Sequence, residues 1–318
     1  MTAPERAEVE RLLDPSFLPL VGLLDAVTFD EEFLAQVRTA VPGLGSTELV
    51  ERTDRLIAPE TGVSVRVHRA KGTSGTRPCV LSIHGGGYIL GSPVMDDRVF
   101  ESWCPTLGLV GVSVDYRLAP EAQYPTPLED CYLALSWVFE HAEELEIDRD
   151  LVGIYGVSAG GGLAAALSLL VRDRGEWRLS FQILESPMLD DRQQTPSSQL
   201  EGLPVWSRDT NEFGWRSYLG ALYASPDLPT YAAPARATDL SGLPSTFISA
   251  TGVDGFRDED TDFALRLQRA GVETELHVVP GAPHGYQMIE DSYATQKLQR
   301  SRDEWLRWIL ERVDRRGS

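Results

Sequence analysis

The amino-acid sequence predicts an α/β fold, with a mostly parallel central sheet, helices on both faces and a helical cap. Three observations predict it. From Cys79 onward, short apolar and β-branched runs alternate with longer helical patterns, the order that builds βαβ units. Those runs are apolar continuously rather than at every second position, as strands buried on both faces are. Two helical stretches, one at the N-terminus and one near residues 190–222, stand outside the alternation.

Taken in order, residues 1–45 read as amphipathic helix. Leu12, Leu13, Phe17, Leu20, Leu23 and Leu24 are followed by Phe29, Phe33, Leu34 and Val37. Pro15 and Pro19 divide this stretch into two or three short helices. Segments 48–58 and 63–69 read as strands with no helix between them, which suggests an antiparallel edge. Strands at 79–84, 109–114, 151–157 and 181–185 then alternate with helices at 96–107, 128–144 and 159–174. An irregular stretch over 190–208 leads to a helix at 209–219. A strand at 246–250, a helix at 259–270, a strand at 275–279 and a final helix from about 293 to 313 complete the order. Residues 1–47 are therefore read as N-terminal cap helices, and 48–318 as the main domain with a cap insertion at about 190–222. Both cap pieces are expected over the C-terminal edge of the sheet, where ligands bind in open α/β folds.

The chain has 318 residues, 42% hydrophobic and 24% charged, enough for a large core. Its formal charge of −19 is spread along the chain and repels phosphate backbones and anionic membranes, so no nucleic-acid partner is expected. Cys79, Cys104 and Cys131 cannot complete a disulfide framework, and no spacing of Cys or His suggests a metal site. The N-terminus carries acids where a secretory signal needs a basic region, and no run of eighteen apolar residues exists. A cytoplasmic protein without a membrane span is expected.

Gly156-Val157-Ser158-Ala159-Gly160 fits G-x-S-x-G between a strand and a helix. A nucleophilic serine on so sharp a turn needs glycine on either side, because side chains would collide where the chain reverses. The competing explanation is a glycine-rich helix start that only packs closely. His84-Gly85-Gly86-Gly87 follows an earlier strand, and three successive glycines expose backbone N–H groups suited to an oxyanion hole together with the N–H of Ala159. A phosphate cradle would need Gly-Lys-Ser/Thr or GxGxxG, and neither follows. His84, at the strand end, reads as a structural hydrogen-bonder.

These motifs, with Asp115-Tyr-Arg-Leu-Ala-Pro-Glu121, Asp239-Leu-Ser-Gly-Leu-Pro244, Asp254-Gly-Phe-Arg-Asp-Glu259 and His284-Gly-Tyr286, resemble the bacterial hormone-sensitive-lipase family of esterases from about residue 48 to 310. The resemblance implies a capped α/β-hydrolase fold, no cofactor, and hydrolysis of short-chain or aryl esters. It also implies that Arg117 and Glu121 belong to a structural segment, read here as an ion pair. A homodimer is an open possibility, since relatives often pair through the last edge strand.

The general base must be a histidine in a loop after the last strand. His68 and His277 lie in strand patterns and His141 in a helix, which leaves His284 in a Gly- and Pro-rich loop. Asp254 is the favoured acid, in the order Ser…Asp…His. Its rivals Asp258, Glu259 and Asp260 begin a helix, where capping explains them. Tyr88, Leu90, Phe33, Met188, Trp206, Phe213 and Tyr286 are candidates for the substrate pocket. Three departures from the family stand out: Val157 replaces an acidic residue and is read as support for the elbow, Gly255-Phe256 replaces Pro-Leu, and Glu185-Ser186 replaces a more apolar pair. A non-hydrolytic lyase or cyclase, or a small-ligand receptor, are the alternative functions. The intact serine, acid and histidine count against both.

Overall fold

Runs that are apolar at every position become strands covered on both faces. The computed structural model describes residues 3–22, 31–38 and 43–317. Its centre is one eight-stranded sheet: β1 (Val50–Ala58), β2 (Val63–Ala70), β3 (Arg77–Ile83), β4 (Val110–Asp115), β5 (Ile147–Val157), β6 (Phe181–Glu185), β7 (Ser245–Val253) and β8 (Thr274–Pro283). The strand order is β1-β2-β4-β3-β5-β6-β7-β8. As the missing helix between β1 and β2 implied, these two pair antiparallel, and β2 joins β4 antiparallel. All remaining pairs are parallel. Every residue of central β6 is buried, whereas edge strand β1 is mostly exposed.

Helices α3 (Asp97–Leu107) and α8 (Tyr293–Gly317) cover one face, where Phe100, Trp103, Trp305 and Ile309 pack on Val80, Phe181 and Phe247. Helices α4 (Thr126–Glu140), α5 (Ala159–Arg174) and α7 (Arg257–Arg269) cover the other. Helix α5 is buried continuously from Ala159 to Val171, which its run of small and aliphatic residues permits. The helix expected to reach residue 144 ends at Glu140, where His141 caps it by bonding its N–H to the Trp137 carbonyl. Strand β5 begins earlier than expected because Ile147 pairs with Arg77.

Strands β7 and β8 run further than their apolar runs suggest. Beyond an irregularity in their ladder, Val253 pairs with Pro283, so the next residues, Asp254 and His284, leave the sheet side by side.

The segments read as a cap sit near this end of the sheet. Helix α1 (Ala3–Leu12) is followed by a tight 3-10 turn at Pro15–Leu20, and Phe17 and Leu20 pack with Leu203, Val253, Ala282 and Tyr286. Asp14 caps that turn by accepting from the Ser16 N–H at 2.9 Å. Helix α2 (Glu31–Val37) buries Leu34, and Arg38 just after it donates to the Ile89 and Ala119 carbonyls. Leu23, Leu24 and Phe29 lie outside the described residues. In the 190–222 insertion, α6 (Arg208–Leu219) is capped by Ser207 and buries Trp215 and Tyr218. The expected Arg117–Glu121 pair does not form. Arg117 instead clasps Asp130 on α4 with two hydrogen bonds of 2.7 and 2.9 Å, and Glu121 meets Arg38.

Candidate active site

Between the end of β5 and the start of α5 the chain reverses within one residue. Ser158 has φ 57° and ψ −122°, a conformation that costs energy for any residue with a side chain and persists only where its surroundings impose it. They do so here. The Ser158 N–H donates to the Glu185 carbonyl at 2.9 Å, and its own carbonyl accepts from Gly162 and Met188. A Cβ at Gly160 would lie 2.0 Å from the Ile83 carbonyl oxygen, and one at Gly156 would lie 2.2 Å from that of Gly160. The elbow therefore fits under the end of β3 only because both positions lack side chains.

The glycine loop runs along the same opening. A Cβ on Gly85 would stand 3.3 Å from the Ser158 Cβ. Gly86 and Gly87 adopt φ of 116° and 61°. Ala159, the first residue of α5, has an N–H with no acceptor inside its own helix. His84 supports this loop from below: its ring stacks on Tyr116 at 4.2 Å and its Nδ1 lies 2.8 Å from the Gly85 carbonyl. Burial drives the His84 pKa down to about 4, so its imidazole is neutral.

Opposite the elbow stands His284. Its Nε2 is 2.9 Å from Ser158 Oγ, and its Nδ1 is 2.8 Å from Asp254 Oδ2. An ionised carboxylate only accepts, so Nδ1 carries the proton and Nε2 is left to accept from the serine hydroxyl. Asp254 is held in turn: the Thr251 hydroxyl donates to Oδ2 at 2.8 Å and the Phe256 N–H to Oδ1 at 3.1 Å. The Phe256 ring meets the imidazole edge-on at 5.0 Å. All three polar side chains are buried, which strengthens their mutual electrostatics.

The other acids and histidines lie elsewhere. The capping role expected for Asp258, Glu259 and Asp260 is not what the structure contains. Asp258 accepts from the Ser197 N–H and Glu259 from those of Leu189 and Asp190, because both side chains face the segment crossing the helix start. Ser197 Oγ accepts from the Asp258 N–H instead. Asp260 is buried, and burial raises its pKa and that of Glu259 well above the usual range. His68 stacks on Phe100, His141 on Trp137, and His277 pairs with Glu275.

A cavity of about 640 Å³ contains Ser158, His284 and Gly85–Gly87 in its wall. Of the residues expected to form the pocket, Phe33, Leu90, Trp206 and Tyr286 line it. Tyr88, Met188 and Phe213 do not. Tyr88 is buried with its ring stacked on Tyr218 at 4.0 Å and its hydroxyl on the Met188 carbonyl. Met188 is wholly buried beneath the elbow, and Phe213 packs against the main core. Residues that sequence reasoning missed also line the cavity, among them Asp96, Tyr155, Ser186, Val205 and Arg302. Val157 lines it too, although its expected role was support of the elbow. The unusual Glu185 was a visible signal: it pairs with Val157 in the ladder and forms a buried ion pair with Arg302 at 3.1 Å. Burial, opposed by the neighbouring hydroxyls of Ser82 and Ser113, lifts Asp96 to about 7.

A family model described as alpha/beta hydrolase fold matches residues 80–288. The chain is 35% identical over 289 residues to carboxylesterase NlhH of Mycobacterium tuberculosis, covering 89% of each. It is 35% identical over 211 residues to an arylesterase of Saccharolobus solfataricus, covering 65% of this chain and 67% of that one. Among solved structures, a bacterial heroin esterase superposes with TM-score 0.84 at 35% identity, over 94% of this chain and 98% of the other.

Proposed function

Since this chain belongs to the α/β-hydrolase-fold family, among bacterial carboxylesterases of the hormone-sensitive-lipase type, we propose that it hydrolyses short-chain or aryl esters through an acyl-enzyme on Ser158. The observation that carries this reading is the unbroken line of hydrogen bonds from Ser158 through His284 to Asp254, beside a glycine loop. His284 Nε2 takes the Ser158 proton as Oγ attacks the ester carbonyl. The N–H groups of Gly85, Gly86, Gly87 and Ala159 are the candidate donors to the oxyanion, each worth about 3–4 kcal/mol of barrier in comparable sites. The alcohol leaves with the proton from His284, and water repeats the sequence on the acyl-enzyme. Asp254 holds the tautomer and stabilises the imidazolium. The N-terminal helices and the 190–222 insertion act as a cap, with Phe33 and Trp206 closing the cavity over the acyl-enzyme.

The test is p-nitrophenyl butyrate hydrolysis together with labelling by a fluorophosphonate. Ser158→Ala is expected to lose about 10⁴–10⁶ of kcat and all labelling. Equal rates for wild type and variant would sink the assignment. No described helix is long and apolar enough to cross a membrane. The three free, buried thiols fit a reducing, cytoplasmic setting. The outer edge of β8, with Val278 exposed, is the surface through which two copies would pair, and sedimentation analysis tests that assembly.

A further inference from the structure

Building on the reading of Ser158 as nucleophile, we propose that this cavity selects esters whose acyl part carries an uncharged hydrogen-bond acceptor, such as a ketone oxygen, and that Arg302 reads it. Arg302 reaches the cavity wall from α8 and is itself 5% exposed. It is fixed on several sides. Nη1 donates to Glu185 at 3.1 Å, Nε donates to Asp303 at 2.9 Å, and the guanidinium lies 4.8 Å from the centre of the Trp103 ring. The Tyr155 hydroxyl donates to the other Glu185 oxygen at 3.1 Å. Nη2 takes part in neither of these two hydrogen bonds.

Two further hydroxyls lie behind the same stretch of wall. Ser186 and Tyr286 line the cavity, but their hydroxyl oxygens are themselves buried and have no hydrogen-bond partner among the described residues, although Glu185 and Ser249 lie beside Tyr286. This wall is continuous with the nucleophile, because the Glu185 carbonyl is the acceptor for the Ser158 N–H. The acyl group stays on Ser158 through both steps, so it is the part of the substrate that the wall meets longest.

Stability does not account for the pair. A buried ion pair is commonly no better than well-packed apolar residues of the same volume, and such residues (Val157, Leu90, Phe33 and Trp206) stand elsewhere in the same cavity wall. Nor does the charge balance favour an anion. Glu185 and Asp303 already offset the guanidinium, and the chain carries −19 overall. What remains is the guanidinium of Arg302, its charge balanced by its neighbours, as a donor that a neutral acceptor satisfies and an alkyl chain leaves bare.

The experiment compares kcat/KM for p-nitrophenyl 5-oxohexanoate with that for its near-isostere p-nitrophenyl 5-methylhexanoate, each corrected for spontaneous hydrolysis. The wild type is expected to favour the oxo ester about tenfold or more, the range for a hydrogen bond to a charged donor. The double variant Glu185→Leu/Arg302→Met, which strands neither charge, is expected to bring the ratio close to unity. The ratio, not the rate, is the readout. A wild-type ratio of one or less overturns the proposal whether or not the variant folds, as does a preference that survives in the double variant. A higher kcat/KM for p-nitrophenyl hydrogen glutarate than for the oxo ester overturns it as well. A flat ratio with turnover that Ser158→Ala abolishes leaves the esterase reading standing. Turnover that survives Ser158→Ala removes both.

Discussion

The two sides of the cavity are built by different means. The sheet side consists of backbone turns, the glycine loop after β3, the elbow after β5 and the paired exits of β7 and β8, whose positions follow from ladder hydrogen bonds. The facing side consists of side chains, Phe33 and Val37 from α2 with Val205 and Trp206 from an irregular stretch. The difference teaches where precision is needed. Proton transfer and oxyanion binding depend on positions held within a fraction of an ångström, which a hydrogen-bonded sheet provides. Selection among acyl groups tolerates looser contacts, and loops that vary without disturbing the sheet supply them.

The largest effect that would break this comparison comes from the sheet side. Asp254→Asn keeps the shape but favours the wrong His284 tautomer, and kcat is expected to fall about 10⁴-fold with little change in melting temperature. A loss under tenfold in steady-state assays would mean that the acid lies elsewhere. Next comes Gly160→Ala, whose methyl would meet backbone atoms at 2.0 and 2.4 Å. It is expected to abolish activity and cut the yield of folded protein. Gly255→Ala, whose methyl meets nothing closer than 3.7 Å, is expected to leave both near wild type in the same circular-dichroism and activity assays.

The facing side should respond differently. Trp206→Ala is expected to raise KM for aryl esters several-fold with a smaller change in kcat, and an equal fall in kcat with unchanged KM would contradict the division of labour. The smallest effect concerns stability. Asp96 titrates at about 7 in the fold against about 3.9 in an unfolded chain. Between those values the folded state holds a proton that the unfolded chain has released, so this group's contribution falls as pH rises from about 4 to 7 and is level above. Asp96→Asn removes that loss, and its gain in melting temperature by calorimetry is expected to be larger at pH 8 than at pH 4. His84, held at about 4 against about 6.5 when free, works in the opposite direction, its contribution falling as pH drops through that window.

Much of the fold and of the candidate triad was legible because the signals are local. A serine between glycines at a strand-to-helix boundary, three glycines after a strand, and a histidine in a Gly- and Pro-rich loop each express steric needs of a few residues. The pocket was less legible. Tyr88 follows the glycine loop and looks like a pocket residue, yet its φ of 67° and its stacking on Tyr218 leave it buried outside the cavity wall. Arg117 was matched to nearby Glu121, whereas its partner Asp130 comes from the helix packed beside it. Arg302 gave no signal in an amphipathic helix, because its partner Glu185 lies 117 residues away.

By itself, the amino-acid sequence determined the alternation of strands and helices, the elbow, the glycine loop and the short list of polar side chains from which a triad could be drawn. Tertiary structure decided how distant pieces meet: the pairing of Val253 with Pro283 that brings Asp254 beside His284, the reach from His284 across 126 residues to Ser158, and the side chains that face the cavity. The physical reason is range. Steric limits and turn chemistry act within a few residues, while sheet register and core packing arise only from the sum of contacts across the whole chain.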